Sequence, residues 1–292
     1  MFCKYSSEVM IILEITRYSV KNQCLAPWVK FFWHLNAENA DYHYKLLPTD
    51  CIDVILNLKS NMIYETEYGK ITAPSFHING LRSKANFIHQ INEVCILGIS
   101  FYPYGLYPFI HKPMIGLQDS IMSLQELSPG MSRKLKIIVT EDRAENIITA
   151  IEQCLVEELF VSQRFLDKAE LIHDFLTVST DISVGDFCRK WSLNMKSFER
   201  MVLMYTGFTP KLLRDIKRFQ NISNQLSFQR ADNLAAIAYD NYGSDSLYKN
   251  IQTLLRCHPP DVPARKYYSK RECFVYISIT VDFLLYLLFY FI

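Results

Sequence analysis

Residues 193–200 read Leu-Asn-Met-Lys-Ser-Phe-Glu-Arg, and residues 207–211 read Gly-Phe-Thr-Pro-Lys. Asn194 is a favourable N-cap, and Gly207 can adopt the left-handed conformation that ends many helices. Apolar residues recur between them at helical spacing: Phe198, Met201, Val202 and Tyr205. We therefore predict a helix over Met195–Thr206, with these apolar side chains on its inner face.

A shorter helix precedes this one and a longer helix follows it. Ser183 is a suitable N-cap for the first, and residues 191–193 make a tight turn before Asn194. Thr209 and Pro210 fit the cap and first position of the third helix, which we expect to run to about residue 228. The first two helices form a helix-turn-helix, whose second helix fits the major groove of B-form DNA. An ordinary helical bundle is the alternative.

Positive charge is concentrated in this part of the chain. Residues 182–230 carry 9 Lys and Arg against 3 Asp and Glu, whereas residues 1–180 carry 16 against 20. A local excess of cations in a helical segment is typical of a surface that binds a polyanion. A solvated helix face is the alternative explanation.

The sequence resembles the AraC/XylS family of regulators in these same segments. Residues 193–200, 207–211 and 218–219 are similar to the family's first helix-turn-helix and linker helix. Residues 234–238, Leu-Ala-Ala-Ile-Ala, and 240–246, Asp-Asn-Tyr-Gly-Ser-Asp-Ser, resemble the family's second motif. The second motif is degenerate, because its Gly-Tyr order is inverted and about two residues are missing after Asp245.

The candidate DNA contacts lie on the second helix of the helix-turn-helix, on the linker helix and in the second motif. The outer face of the second helix supplies the candidates for base contacts: Lys196, Ser197, Glu199 and Arg200. Basic residues of the linker helix and the second motif are the candidates for phosphate contacts: Lys211, Lys217, Arg218 and Lys249. Long donors suit guanine, and lysines hold phosphates. Arg218 could instead brace the two motifs.

The N-terminal part is predicted to be β-rich. Short aromatic and β-branched segments at 31–35, 51–58, 76–78 and 95–101 are separated by turn residues, which favours an antiparallel barrel or sandwich. Segments 46–58 and 98–105 are also similar to motifs found in one group of AraC/XylS regulators, so the resemblance covers roughly residues 28–259.

The predicted fold class is α+β, with an antiparallel β-rich domain followed by an all-α domain. We expect a β-rich sensing or oligomerisation domain over 1–125 and a helical connector over 126–164. An AraC-type domain with two helix-turn-helix motifs, the second degenerate, would occupy 165–270, and an apolar tail 271–292.

Catalytic, metal and cofactor motifs are not found in the sequence. Four histidines and two cysteines lie in or near the predicted strands: His34, His43, His77, His89, Cys51 and Cys95. They could bind a metal, but their irregular spacing favours core-edge or surface positions. Asp50 and Asp53 are expected to be turn and edge residues rather than an acid–base pair. The aromatic segment 101–109 could line an effector pocket or cover the end of the barrel. We expect no enzyme activity, no metal and no cofactor.

The C-terminal tail has three interpretations. Residues 274–292 contain a single charge, Asp282. We favour a frameshifted or degenerate end, and place a packed terminal segment second. A membrane anchor comes third, because a carboxylate near the middle of the segment opposes insertion into a membrane. We expect a cytoplasmic protein without a membrane partner.

The sequence thus predicts a sequence-specific transcriptional regulator that binds double-stranded promoter DNA. An unknown small-molecule effector, a homodimer and, for an activator, RNA polymerase are the further partners expected. The alternative is a ligand-binding or interaction protein that has lost DNA binding through its degenerate second motif.

Overall fold

The computed structural model describes residues 15–66, 68–140, 144–228 and 275–277. Its strands are β1 Ile15–Tyr18, β2 Val29–Leu46, β3 Ile52–Asn57, β4 Ile63–Thr66, β5 Gly69–Thr72, β6 Phe76–Asn79, β7 Asn86–Phe101, β8 Ile121–Ser123 and β9 Val275–Ile277. Its helices are α1 Tyr107–Ile110, α2 Leu124–Leu127, α3 Pro129–Ile138, α4 Ala144–Glu158, α5 Gln163–Thr177, α6 Val184–Lys190, α7 Met195–Thr206 and α8 Pro210–Phe228. The predicted order, an N-terminal antiparallel sheet followed by helices, is confirmed.

The sheet is open and is not a closed barrel, which is one of the two forms that the sequence favours. Its strands follow the order β1-β2-β7-β3-β6-β8, with β4 and β5 added beside β7. The two end strands of this path, β1 and β8, do not pair with each other in the described part of the chain. A barrel needs that last ladder to close, and the short end strands of 4 and 3 residues do not supply it.

Two long strands form the centre of the sheet. β2 has 18 residues and β7 has 16, and they pair antiparallel from Val29 opposite Phe101 to Leu46 opposite Asn86. The register shifts between Ala37 and Ala40, where a bulge bends the pair. The predicted segments 31–35 and 95–101 are therefore parts of longer strands. Each of these long strands pairs with different neighbouring strands at its two ends.

Alternation along β3 divides the buried side chains between two faces of the sheet. Ile52, Val54 and Leu56 belong to a large core that continues through the helices as far as α8. Ile55 belongs to a second, smaller cluster with Trp33. Because successive strand residues point to opposite faces, this strand is buried on both sides. The helices cover one face, and the second cluster lies on the other.

Part of the C-terminal tail is extended. β9 pairs in parallel with Tyr44–Leu46 of β2. In the parts of the chain that the structure describes, none of the helices has the length and apolar character needed to cross a membrane. The second helix-turn-helix motif and the remainder of the tail lie outside the described residues.

Replacing Gly98 should destabilise the protein. A Cβ at this position would lie 1.9 Å from Cε2 of the Trp33 ring, which is 4% exposed and packed on the glycine. We expect Gly98→Ala to lower the free energy of unfolding by about 1–3 kcal/mol, as overpacking does, measured by urea denaturation.

The matched control is Gly130→Ala in α3, where a Cβ has no neighbour within 4 Å. A methyl group there should stabilise the helix by up to about 1 kcal/mol. Equal stability of Gly98→Ala and the wild type would show that the Trp33 ring does not press on this strand.

Candidate nucleic-acid interface

The helix-turn-helix is formed by α6, a turn and α7, with the bounds that the sequence predicts. The Ser183 hydroxyl caps α6 by accepting the backbone N–H of Asp186 at 3.1 Å. The Asn194 side chain caps α7 by accepting the N–H of Ser197 at 3.1 Å. Between them, the N–H of Leu193 donates to the carbonyl of Cys188 at 2.8 Å. These local bonds satisfy helix-end groups and fix the turn.

Aromatic packing fixes the inner face of α7. Phe198 is 2% exposed, and its ring centroid lies 5.2 Å from that of Phe175 in α5 and 5.4 Å from that of Phe187 in α6. Trp191 stacks on Phe187 at 4.3 Å. Since aromatic clusters of this kind are rigid and bury much apolar area, α7 is held firmly against α5 and α6.

The outer face of α7 carries all four candidate base contacts. Lys196, Ser197, Glu199 and Arg200 are exposed. The side chains of Lys196 and Arg200 make no hydrogen bond or ion pair with any residue in the described ranges, and Glu199 does not pair with Arg200 there. Two cationic side chains four residues apart therefore share one helix face and are available to a partner.

The candidate phosphate contacts on α8 have different environments. Lys211 is exposed near the start of the helix. The ammonium group of Lys217 lies 3.8 Å from the Asp50 carboxylate. Arg218 donates from Nε and Nη2 to the Thr180 carbonyl, at 3.2 and 2.5 Å. This contact joins α8 to the loop between α5 and α6. The second motif, which Arg218 is expected to brace in its alternative role, lies outside the described residues. Lys249 lies outside the described residues.

Arg214 is a structural residue that the sequence analysis did not single out. It is 5% exposed, donates to the carbonyls of Ser179, at 2.8 Å, and Ile182, and lies 4.4 Å above the Phe175 ring. Burial lowers the pKa of its guanidinium. The sequence signal that could have revealed this role is the spacing of Arg214 and Arg218, which lie one helical turn apart and so share a face of α8. In the structure both side chains contact the loop between α5 and α6.

The end of α7 is attached to the N-terminal part by its backbone. The N–H of Met114 donates to the Met204 carbonyl at 2.8 Å. Gly207 follows with φ +79°, and a Cβ there would lie 2.6 Å from the Met114 carbonyl oxygen. The Tyr205 ring also meets Tyr107 edge-on, with centroids 4.7 Å apart. A shift of Met114 would therefore be transmitted to α7.

A buried charge cluster joins the sheet to α8. Asp50 is 5% exposed and lies 2.8 Å from Lys30 and 3.8 Å from Lys217. Burial alone would raise the pKa of Asp50, but the two lysines lower it below its ordinary value. Asp53 is buried too, at 1% exposed. Asp50 lies in the bend between β2 and β3, as expected of a turn residue. Asp53 lies in β3, which pairs with β6 and β7, so the expectation of an edge residue is wrong there.

The isolated histidines and cysteines are not assembled into a larger cluster. His34 Nε2 lies 3.8 Å from Cys95 Sγ, and the described residues contain no group of three or more side chains able to hold a metal. His77 is fully buried and donates from Nδ1 to the Pro74 carbonyl at 2.7 Å. Burial lowers the pKa of His77 to about 4, so this ring is neutral at physiological pH.

Comparison with known proteins gives one family model and several solved structures. A domain of unknown function, DUF6597, matches residues 22–123. No curated protein matches the chain. The apo form of a ToxT variant from Vibrio cholerae, with a lysine-to-alanine substitution, is similar at 16% identity and a TM-score of 0.39, over 81% of this chain and 96% of that one. ToxT bound to an unsaturated fatty acid is similar at 14% identity and 0.39, over 78% and 92%.

CuxR, an AraC-like transcriptional activator, is similar at 16% identity and a TM-score of 0.30. The similarity covers 65% of this chain and 76% of that one. An AraC-like regulator is thus among the solved structures that the chain is similar to.

Neutralising Asp50 should destabilise the junction between the sheet and α8. Asp50→Asn leaves Lys30 and Lys217 without their carboxylate, and breaking a buried pair in this way costs about 3–5 kcal/mol. Because the folded pKa of Asp50 lies below its ordinary value, its contribution is present at neutral pH and is lost as pH falls through the folded pKa. Urea midpoints of both proteins should therefore differ at neutral pH and begin to converge only below pH 3.8, the ordinary pKa of an Asp carboxyl.

Lys134→Ala is the control, because Lys134 pairs with Glu158 on an exposed surface. Surface pairs contribute little, so this change should move the midpoint by far less. An Asp50→Asn midpoint equal to that of the wild type at pH 7 would contradict the proposed junction.

Proposed function

We propose that the protein is a sequence-specific DNA-binding transcriptional regulator that is controlled through its N-terminal sheet. The observation that carries this proposal is the outer face of α7, where Lys196 and Arg200 are exposed and unpaired within the described residues. The helix has 12 residues, about 18 Å at 1.5 Å per residue. A helix of this size, capped and rigidly backed, fits the DNA major groove.

Base reading and phosphate binding would be divided between two helices. Lys196 and Arg200 donate hydrogen bonds suited to guanine O6 and N7, and Glu199 can accept one from cytosine N4 or orient Arg200. Lys211, exposed near the start of α8, is placed to hold a phosphate. Lys217 contacts Asp50 at the junction between the sheet and α8, and Arg218 contacts the Thr180 carbonyl. We therefore assign both residues to these internal contacts before phosphate binding.

Control through the sheet has a continuous route of contacts. Residues 112–120 contact α7 through Met114, and they contact the loop after β6 at their other end. The Asp119 N–H donates to the Leu81 carbonyl at 2.9 Å, and the Asp119 carboxylate accepts from the N–H and the hydroxyl of Ser83 at 2.6 and 2.5 Å. A change near residues 81–83 would reach α7 through this segment.

The expected setting is the cytoplasm, with promoter DNA as the main partner. A homodimer would present two copies of α7, and contact with RNA polymerase would follow if the protein activates transcription. The alternative function is an interaction protein without DNA affinity. It is favoured by one observation: three of the four cations of α8, Arg214, Lys217 and Arg218, contact carboxylate or carbonyl groups of the protein itself.

Arg200→Ala should relax sequence preference. Losing a bidentate guanine contact costs about 1–3 kcal/mol on the preferred site and much less on random DNA. Site selection from a random duplex pool, with the wild type and the variant, measures this. The same selected sequence for both proteins would remove Arg200 from base reading, and no enrichment with the wild type would favour the interaction protein.

Lys211→Ala should weaken binding to all sequences about equally. Removing one phosphate contact reduces the slope of log affinity against log salt by about one. Lys136→Ala is the matched control, since Lys136 is an exposed lysine of α3 outside the helix-turn-helix. Equal slopes for the wild type and both variants would exclude the start of α8 from the interface.

A further inference from the structure

A small cavity lies on the face of the sheet that carries the smaller cluster. Its volume is about 20 Å³, and its lining includes Trp33, Asp53 and Arg82 among apolar side chains such as Ile55 and Ile96. A cavity needs roughly 10–15 Å³ to hold one water molecule. The space therefore fits a single occupant of about the size of water.

Two donors that line this cavity lack an acceptor in the described part of the chain. Trp33 is 4% exposed and Arg82 is 2% exposed, yet the indole Nε1 and the guanidinium Nη1 make no hydrogen bond there. The rest of the Arg82 head group is held, because Nε donates to the Leu47 carbonyl at 3.3 Å and Nη2 to the Thr49 hydroxyl at 3.2 Å. Buried donors without a partner are rare and costly, so two at one cavity indicate an acceptor inside it.

The Asp53 carboxylate lies on the same cavity at a bridging distance. One of its oxygens accepts from the Ser100 hydroxyl at 2.6 Å, and the other lies 3.9 Å from Arg82 Nη1. This second separation is too long for a direct hydrogen bond, and a water molecule commonly bridges polar atoms so placed. Burial raises the pKa of Asp53, and a hydrogen bond donated to its second oxygen favours the ionised form that pairs with Arg82.

The chemistry of the site selects among occupants of this size. One guanidinium faces one carboxylate, so a small anion such as fluoride would leave a negative charge in excess in a buried place. An ammonium ion has donors only and cannot accept from Trp33 or Arg82. A water molecule accepts and donates hydrogen bonds and leaves the balance of charge unchanged.

We propose that this cavity is the binding site of one long-lived internal water molecule, which accepts from Trp33 Nε1 and Arg82 Nη1 and donates to the Asp53 carboxylate. Three hydrogen bonds are the usual number for a buried water. Trp33 belongs to β2, Asp53 to β3 and Arg82 to the loop after β6. The water therefore links three segments that are distant in sequence.

This hydration site also deepens the proposed function, on which its regulatory consequence rests. Arg82 lies between Leu81 and Ser83, the two residues that bond to Asp119. A water that fixes the Arg82 guanidinium also fixes the loop from which residues 112–120 run to the end of α7. The hydration itself needs no DNA, so it can be measured independently of the proposed function.

The indole N–H of Trp33 reports directly on the water. The full chain contains 3 tryptophans, whose indole signals in a nitrogen-15 correlation spectrum are assigned with Trp28→Phe, Trp33→Phe and Trp191→Phe. Magnetisation transfer between each indole proton and water is then measured on the wild type without DNA, in the laboratory frame and in the rotating frame. The two frames together distinguish a bound water from chemical exchange of the indole proton.

We expect a cross-peak between the Trp33 indole proton and water that has opposite signs in the two frames, as for a water that stays longer than the protein takes to tumble. Trp191, in the turn after α6, is the control and should show chemical exchange or no cross-peak. Ser100→Ala removes the hydroxyl that bonds to Asp53 and should leave the Trp33 cross-peak in place, which excludes a signal relayed through that hydroxyl.

Other outcomes would overturn the proposal. A Trp33 cross-peak with the same sign in both frames, or none, would mean that no long-lived water contacts this donor. Loss of the cross-peak in a folded Ser100→Ala protein would assign it to the hydroxyl. A saturable shift of the Trp33 signal with sodium fluoride, and not with sodium sulfate at equal ionic strength, would make the occupant an anion. A failure of DNA binding would count against the proposed function alone, because none of these samples contains DNA.

Discussion

The orientation of α7 depends on one close backbone contact. Gly207 passes so near the Met114 carbonyl that a Cβ would lie 2.6 Å from the oxygen, and its φ of +79° also favours glycine. The Met114 N–H bonds to the last turn of α7 at Met204. Because side chains are excluded from this contact, the helix end and residues 112–120 are held together by the main chain. The proposed reading face and the proposed control by the sheet both require this attachment.

The helical half was predictable because its signals are local. Ser183, Asn194 and Thr209 each cap a helix with their own side chain, and Gly207 ends α7 in the left-handed conformation. Such caps act over three or four residues and can be read directly from the sequence. The exposed positions of Lys196 and Arg200 follow from the same helical period once the inner face is known.

The sheet and its polar interior were less predictable because they depend on distant partners. The lengths of β2 and β7 come from pairing with each other across about 60 residues of sequence, as in Leu35 opposite Ile96, and closure into a barrel depends on edge strands that give weak signals. Asp50 is buried because α8 brings Lys217 to it. The unpaired donors of Trp33 and Arg82 become visible only when their surroundings are known.

Hydrogen exchange of the full chain with and without duplex DNA tests the central claim most directly. The first amides of a helix have no intrahelical partner and exchange readily, so a bound duplex should slow exchange at the start of α7, around residues 194–200, and near Lys211. A selected duplex should protect these segments more strongly than a random one. Tight binding of DNA without protection at the start of α7, or no binding of DNA, would contradict the account.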